Sequence, residues 1–417
     1  MTNGGSGLVL VRADSGPRIG MGHLVRQLAL ARELAARGAA VVFVTRTAEP
    51  RVEAAGFRCL ALDLPAPEAT RPWAAGDQVA DARATIALAG GAVDTVVVDS
   101  YGLDRTWESE VRAITGRIVA VDDLADRSRE VDVVVDQNWY GAGSDARYDG
   151  VVPDGARRLI GPRHALLHHD YAAARRTSAP RQWPPRRVLV SFGGTDPGGE
   201  TRAVVEALRG TGLELHVDVV VGTAAAATDE LRAAVDALPG ASLRVALPSL
   251  VPSLAAADLA FGASGTATWE RMCLDVPAVV TTTAPHQSGV TRALAEAGFT
   301  TWAGLSGEVG AEGYRTLVAE LLAEGPRLAP PLVDGHGAAR VAAEVLPGPG
   351  ERTFRAATGR DAAVEVARGD DPEAWVAAAE QFAADLTDPS VDLLVAEVDG
   401  VPVDVVRRLR GGSPTGG

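Results

Sequence analysis

The sequence predicts an α/β protein of two doubly wound lobes in series, with a cleft between them and a short α+β extension behind. Three observations carry this. Short β-branched apolar runs alternate with helical stretches rich in Ala, Leu and Arg, the pattern of βαβ units that build a parallel sheet. The alternation stops over residues 139–185, which are rich in Pro, Gly, Arg and His, and restarts at Arg187. A chain of 417 residues also exceeds the roughly 250–300 residues at which single cores stop growing.

In the first lobe, residues 8–150, the runs at 8–12, 40–45, 95–99, 117–121 and 132–135 read as strands, with a weaker one near Cys59. Helical stretches fall at 23–37, near 79–89 and at 104–115. The strands are apolar throughout, as expected when helices cover both faces of a sheet. Residues 151–186, ending in Pro184-Pro185, read as the interlobe connection. The second lobe, residues 187–346, repeats the pattern with strands at 187–191, 215–221, 258–261 and 278–282. After Pro347-Gly348-Pro349-Gly350 comes the extension, residues 352–410. It holds a strand at 353–357, a helix at 372–384 and two strands flanking Val398-Asp399-Gly400, whose Asp-Gly is a strong hairpin signal.

Composition narrows the function. The formal charge of −14 and a pI near 5.0 argue against nucleic acid, whose phosphates demand a basic surface. All 40 basic residues are arginine, in a chain crowded with Ala, Gly and Val, so an arginine by itself says little about phosphate. No apolar stretch approaches the roughly 20 residues of a membrane helix, and the small, uncharged start is unlike a signal peptide. Cys59 and Cys273, the two cysteines, give no disulfide framework and suit a reducing cytoplasm.

The most informative stretch is Arg12-Ala13-Asp14-Ser15-Gly16-Pro17-Arg18-Ile19-Gly20-Met21-Gly22-His23. A strand ends near Asp14, a glycine-containing loop follows, and His23 opens a helix. Gly20 and Gly22 let the backbone turn tightly and approach a ligand, and the helix start beyond offers N–H groups to an anion. This is not the dinucleotide fingerprint, because the third glycine and the acidic end of the next strand are missing. A histidine at such a tip lies where ligands bind in doubly wound sheets and is a candidate base, with simple packing as the plainer alternative.

Two loops of the second lobe resemble phosphate cradles. Phe192-Gly193-Gly194-Thr195-Asp196-Pro197 follows its first strand, and Phe261-Gly262-Ala263-Ser264-Gly265-Thr266 runs from a strand into a helix that carries Glu270. Backbone N–H groups there can hold a diphosphate, and the Glu270 carboxylate can accept both hydroxyls of a ribose; an ordinary turn and a helix-capping Glu are the plain alternatives. Acidic residues end first-lobe strands at Asp99-Ser100-Tyr101 and Asp122-Asp123-Leu124-Ala125-Asp126, and His286-Gln287 follow a second-lobe strand. His168-His169 and the cysteines show no metal-like spacing.

Taken in order, these segments resemble the UDP-sugar hydrolases of pseudaminic acid biosynthesis, a group that includes proteins labelled spore-coat polysaccharide biosynthesis. Asp136-Gln137-Asn138, Gly161-Pro162-Arg163-His164-Ala165-Leu166-Leu167 and Thr268-Trp269-Glu270 complete the match, which spans about residues 8–345. The resemblance implies a GT-B-type fold of two Rossmann-like lobes. It implies hydrolysis of a UDP-linked 2,4-diacetamido-2,4,6-trideoxyhexose with inversion at the anomeric carbon. A glycosyltransferase on the same scaffold is the alternative.

In that reading His23 is the general base, with Asp14 and Tyr101 beside it in the cleft. Gly193, Gly194, Thr195, Ser264, Gly265, Thr266 and Glu270 hold the nucleotide, and Gly20, Gly22, His286 and Gln287 face the phosphate and sugar. The small-molecule UDP-sugar is the one partner implied. No metal or cofactor is required, because helix starts and loop N–H groups neutralise the diphosphate; nothing sets an oligomeric state. The chain departs from the family pattern at His164, Asp275-Val276-Pro277 and His286. The extension is similar to the first half of a GNAT acetyltransferase but stops before the acetyl-CoA loop, so no acetyltransferase activity is expected.

Overall fold

The structure is a computed structural model that describes residues 7–16, 19–65, 72–194, 196, 198–223, 226–326, 332–346, 352–366, 372–388, 390–398 and 401–409. Pro17-Arg18 of the first glycine loop, Thr195 and the Asp399-Gly400 turn lie outside the described residues.

The first lobe runs β1 (Leu8–Ala13), α1 (Gly22–Ala36), β2 (Ala40–Thr45), α2 (Pro50–Ala54), β3 (Arg58–Ala61), α3 (Ala75–Ala89), β4 (Thr95–Asp99), α4 (Arg105–Val111), β5 (Ile118–Val121), β6 (Val133–Asp136) and β7 (Arg157–Ile160). Its seven strands are all parallel, in the order β3-β2-β1-β4-β5-β6-β7. Then α5 (His169–Thr177) leads to the second lobe. That lobe runs β8 (Arg187–Ser191), α6 (Glu200–Leu208), β9 (His216–Val221), α7 (Asp229–Asp236), β10 (Ala241–Val245), α8 (Val251–Ala256), β11 (Leu259–Ala263), α9 (Thr266–Cys273), β12 (Ala278–Thr282), α10 (Ser288–Glu296), β13 (Thr301–Leu305), α11 (Gly310–Glu324) and α12 (Gly337–Val345). Its six strands are parallel in the order β10-β9-β8-β11-β12-β13.

Each sheet is apolar on both faces, and the strand period of two sorts its residues between two cores. Val9, Val11, Val97, Val119 and Val133 pack on one side of the first sheet with Leu24 and Leu30 of α1. Leu10, Val96, Val98, Ala120 and Val134 pack on the other with Trp107 and Tyr148. The order of strands reverses between β1 and β4 and between β8 and β11, and ligands in such sheets bind beyond the strand C-termini at those switch points.

Two features depart from the sequence-level boundaries. The stretch expected as connection contributes β7, which extends the first sheet, while α5 and Trp139 pack into a second-lobe core. After the second lobe, α12 crosses back: Ala338, Val341, Ala342 and Val345 complete the core beneath α1. An amphipathic helix looks the same in sequence whichever lobe covers it. The extension forms an antiparallel sheet of β14 (Arg352–Ala356), β15 (Val391–Val398) and β16 (Val401–Leu409), with α13 (Ala362–Val366) and α14 (Pro372–Thr387). It docks on α12, where Arg340 Nη2 donates to Pro402 O at 2.8 Å while also pairing with Asp334.

Candidate active site

Between β1 and α1 the chain folds back on itself, with Gly20 N–H donating to Gly16 O at 2.7 Å. Gly20 has φ of +83°, a conformation that glycine adopts without strain. Helix α1 then begins at Gly22 and places His23 in its first turn, 5% exposed. The neighbouring strand β4 ends at Asp99, and its Oδ1 lies 2.5 Å from His23 Nδ1.

Asp99 is the hub of this half of the site. Its Oδ2 accepts from Arg26 Nε at 2.7 Å and Gln27 Nε2 at 2.9 Å, and its Oδ1 from Arg26 Nη2 at 2.6 Å. Burial alone would raise the Asp99 carboxyl, but the charges of Arg26 and His23 outweigh it and hold it well below the usual carboxylate range. An ionised Asp99 only accepts, so Nδ1 carries a proton whether or not the ring is charged, and in the neutral ring Nε2 is the acceptor. Arg26 Nη2 also approaches Nδ1 to 3.2 Å, because both donate to the same carboxylate oxygen.

The other end of Arg26 reaches Asp123, beyond the end of β5, with Nη1 2.9 Å from each carboxylate oxygen. Asp123 also accepts from Tyr101 OH at 2.7 Å and from Asn138 Nδ2 at 2.9 Å. Tyr101 stands edge-on to His23, with ring centroids 4.5 Å apart. Burial, then the Asp123 charge, pushes the Tyr101 phenol far above its ordinary value, so it stays protonated. One guanidinium therefore ties the carboxylate behind His23 to the carboxylate behind Tyr101. Removing one member of such a buried set costs about 3–5 kcal/mol, because a desolvated charge is left unpaired.

The second lobe supplies a different surface. Gly193 has φ of +87°, and a Cβ on Gly222 would sit 2.6 Å from Gly194 Cα, so the end of β9 is pressed against this loop. Gly265, with φ of +96°, precedes α9, and Ser264 Oγ donates to Gln287 Oε1 at 2.5 Å. A Cβ on Gly22 would lie 3.5 Å from Thr266 Oγ1, so the starts of α1 and α9 face each other across the cleft. Two helix N-termini converging there favour an anion. The cleft is bridged a second time where His286 stands edge-on to Tyr101, at 5.3 Å between centroids.

Glu270 is half-buried on α9 and hydrogen-bonds to the Tyr171 phenol of α5. Burial raises its carboxyl, partly offset by Tyr171 and the adjacent Arg271. Burial also brings the Arg271 guanidinium down to about 10, while its Nη2 donates to Ala263 O at 2.7 Å. That bond fixes the β11–α9 corner.

The structure thus brings His23, Tyr101, Gly20, Gly22, Thr266 and His286 around one cleft, with Ser264, Gly265 and Gln287 beside them. Asp14 is placed otherwise. Its Oδ1 accepts from Arg46 N–H at 2.7 Å and pairs with Arg12 Nη1 at 2.7 Å, within a separate buried network centred on Asp81 and Trp107. His164 lies beyond β7, where its Nδ1 meets Ile160 O at 3.2 Å and burial, with Arg163, pushes the ring down to about 3. His168, His169 and Asp170 bring donor atoms within 4.8 Å of one another, but His168 Nδ1 caps α5 by accepting from Asp170 N at 3.3 Å. Arg26 and Gln27 escaped the sequence reading; the available signal was their spacing of three and four from His23, which sets them near the same helix face.

Two parallel doubly wound sheets in series, with a cleft at both switch points and a last helix returning to the first lobe, form the GT-B fold. MurG from Acinetobacter baumannii superposes with a TM-score of 0.54 at 14% identity, covering 82% of this chain and 99% of that one. UGT89C1 from Arabidopsis thaliana gives 0.56 at 14%, covering 92% and 100%. The UDP-GlcNAc 2-epimerase of Neisseria meningitidis, solved with UDP-GlcNAc, gives 0.53 at 11%, covering 82% and 100%. In sequence, the spore coat polysaccharide biosynthesis protein SpsG of Bacillus subtilis is 24% identical over 340 residues, 79% of this chain and 95% of that protein. An uncharacterized protein of Methanocaldococcus jannaschii, MJ1062, is 22% identical over 233 residues. The matched part spans 54% of this chain and only 44% of that archaeal protein. No family model matches the chain. Among the described residues, no helix is long and apolar enough to cross a membrane.

Proposed function

We propose that this chain is a nucleotide-sugar enzyme, and specifically a hydrolase of a UDP-linked diacetamido-trideoxyhexose. The observation that carries the reading is the 2.5 Å contact between His23 Nδ1 and Asp99. It orients a histidine at the strand-to-helix tip with Nε2 as acceptor, the arrangement of a general base. Water held at Nε2 attacks the anomeric carbon as the C–O bond to the diphosphate breaks on the opposite face. The proton passes to His23, and UDP departs with the bonding electrons toward the start of α9. Glu270 binds the ribose, and the Gly193-Gly194-Thr195 and Ser264-Gly265-Thr266 loops receive the diphosphate.

The relatives lend coarser support: UGT89C1 has been solved with UDP, and a neighbouring epimerase with UDP-GlcNAc. The sugar itself rests on the motif resemblance. Transfer to an acceptor other than water is favoured by one feature: Ile19 and Val25, which flank His23 in sequence, are 46% and 42% exposed. The deciding experiment incubates the protein with UDP-activated diacetamido-trideoxyhexoses in ¹⁸O-water. UDP release with one ¹⁸O in an inverted free sugar is expected. No turnover until an acceptor is added would replace hydrolysis with transfer.

A further inference from the structure

A cavity lies at the opposite end of the second sheet from the cleft. Arg187 and His216 are the first residues of β8 and β9, so they stand at the strand N-termini, whereas the cleft lies beyond the C-termini. With Arg186 they line a cavity of about 400 Å³, and Arg187 and His216 continue into an adjoining one of about 310 Å³. These sizes fall in the range of small-molecule sites.

The charge there is unbalanced. The side chains of Arg186, Arg187 and His216, all three exposed at the cavity mouth, have no hydrogen-bond or ion-pair partner among the described residues. The acid in their wall is already satisfied: Asp258 accepts from the backbone N–H groups of Gln182, Arg186 and Arg187 at 2.9, 3.0 and 2.9 Å. In the adjoining cavity Asp218 is held by Ser242 Oγ at 3.0 Å and Arg244 at 3.2 Å. Two guanidinium forks and a ring N–H, with no carboxylate free to answer them, match phosphate oxygens.

We infer that this cavity binds a small polyanion carrying at least two phosphate groups. One of its walls is the interlobe connection at residues 179–182, where Arg181 donates to Ala255 O at 2.7 Å and Ala257 O at 3.0 Å. A ligand held between that wall and the strand ends clamps the connection to the second lobe and so acts on closure of the cleft from outside it.

The test titrates the full chain with inorganic pyrophosphate by calorimetry, with excess UDP present to occupy the cleft. Saturable one-to-one binding is expected, weakened at least tenfold in R186S/R187S, since each charge-assisted contact is worth about a factor of ten. R209S/R232S, which removes the same charge from exposed positions elsewhere on the lobe, should bind as the parent does. ADP in a parallel arm separates the sources: equal affinity marks a free-diphosphate site, tighter ADP a nucleotide site. Absence of saturation, or equal weakening in both double variants, overturns the inference. Neither result depends on whether the cleft hydrolyses a sugar nucleotide.

Discussion

In the first lobe the strand ends deliver charge to the cleft: Asp99 from β4 and Asp123 from β5 close on Arg26, with His23 and Tyr101 as their outer faces. In the second lobe the equivalent strand ends deliver backbone: Gly193-Gly194 after β8 and Ser264-Gly265 after β11, with few side chains besides Glu270 and Gln287. Both lobes share one wound architecture and one kind of switch point, so the fold does not decide what each half presents to the cleft. The residues placed on similar scaffolding do. A paired, desolvated charge network holds a histidine ring in place, and small residues at helix starts leave N–H groups open to an anion.

That contrast can be broken most directly at His23. His23→Asn should lower kcat by roughly 10²–10⁴-fold while UDP affinity, measured by calorimetry, stays put; a variant that lost nucleotide binding instead would erase the division of labour. Asp99→Asn comes next. It should lose much of the same rate, because the ring proton is no longer fixed on Nδ1. It should also lower the melting temperature, because Arg26 then keeps a single carboxylate partner in a buried setting. A drop in stability with an unchanged rate and pH profile would make Asp99 purely structural.

Smaller effects belong to the second lobe. Glu270→Ala should weaken UDP binding about 10–100-fold, the range for losing a hydrogen bond to a charged group, with turnover of bound substrate nearly intact. Gly222→Ala drives a Cβ into Gly194 and should cost about 1–3 kcal/mol of overpacking, read as a higher KM and a modest fall in melting temperature.

The smallest effect is a pH dependence. Burial, with the Asp123 charge, pushes the Asp136 carboxyl up to about 7. The folded chain therefore holds that proton from the ordinary value of about 3.9 up to about 7, and this contribution to stability falls as pH rises through the window. Asp99, held low, behaves oppositely: its contribution is present above the ordinary value and is lost as pH falls toward its lowered one. Asp136→Asn should flatten the decline in melting temperature between pH 5 and 8; an unchanged slope would assign that decline to other groups.

What was legible in sequence followed burial. The central strands β1, β2, β4, β8 and β12 read cleanly, because a strand covered on both faces is a continuous apolar run. The strands that read weakly or not at all, β3, β7, β10 and β13, are the four edges of the two parallel sheets. There one side of the strand is unpaired, and β10 has only partly buried or exposed side chains. In the cleft, glycines and His23 could be found because turns need particular residues at fixed places. Arg26 was passed over, since in a chain whose 40 cations are all arginine its residue type adds nothing to its spacing of three from His23.

The sequence by itself determined two wound lobes, the glycine turns that follow their strands, and the residue types placed there, because periodicity and turn chemistry are local properties. Only the tertiary structure decided that α12 returns to the first lobe, that Asp14 serves Arg12 and Arg46, and that Asp99 and Asp123 share one guanidinium. The last of these joins Arg26 to residues 73 and 97 positions away, and only close packing sets which charge meets which once water is excluded.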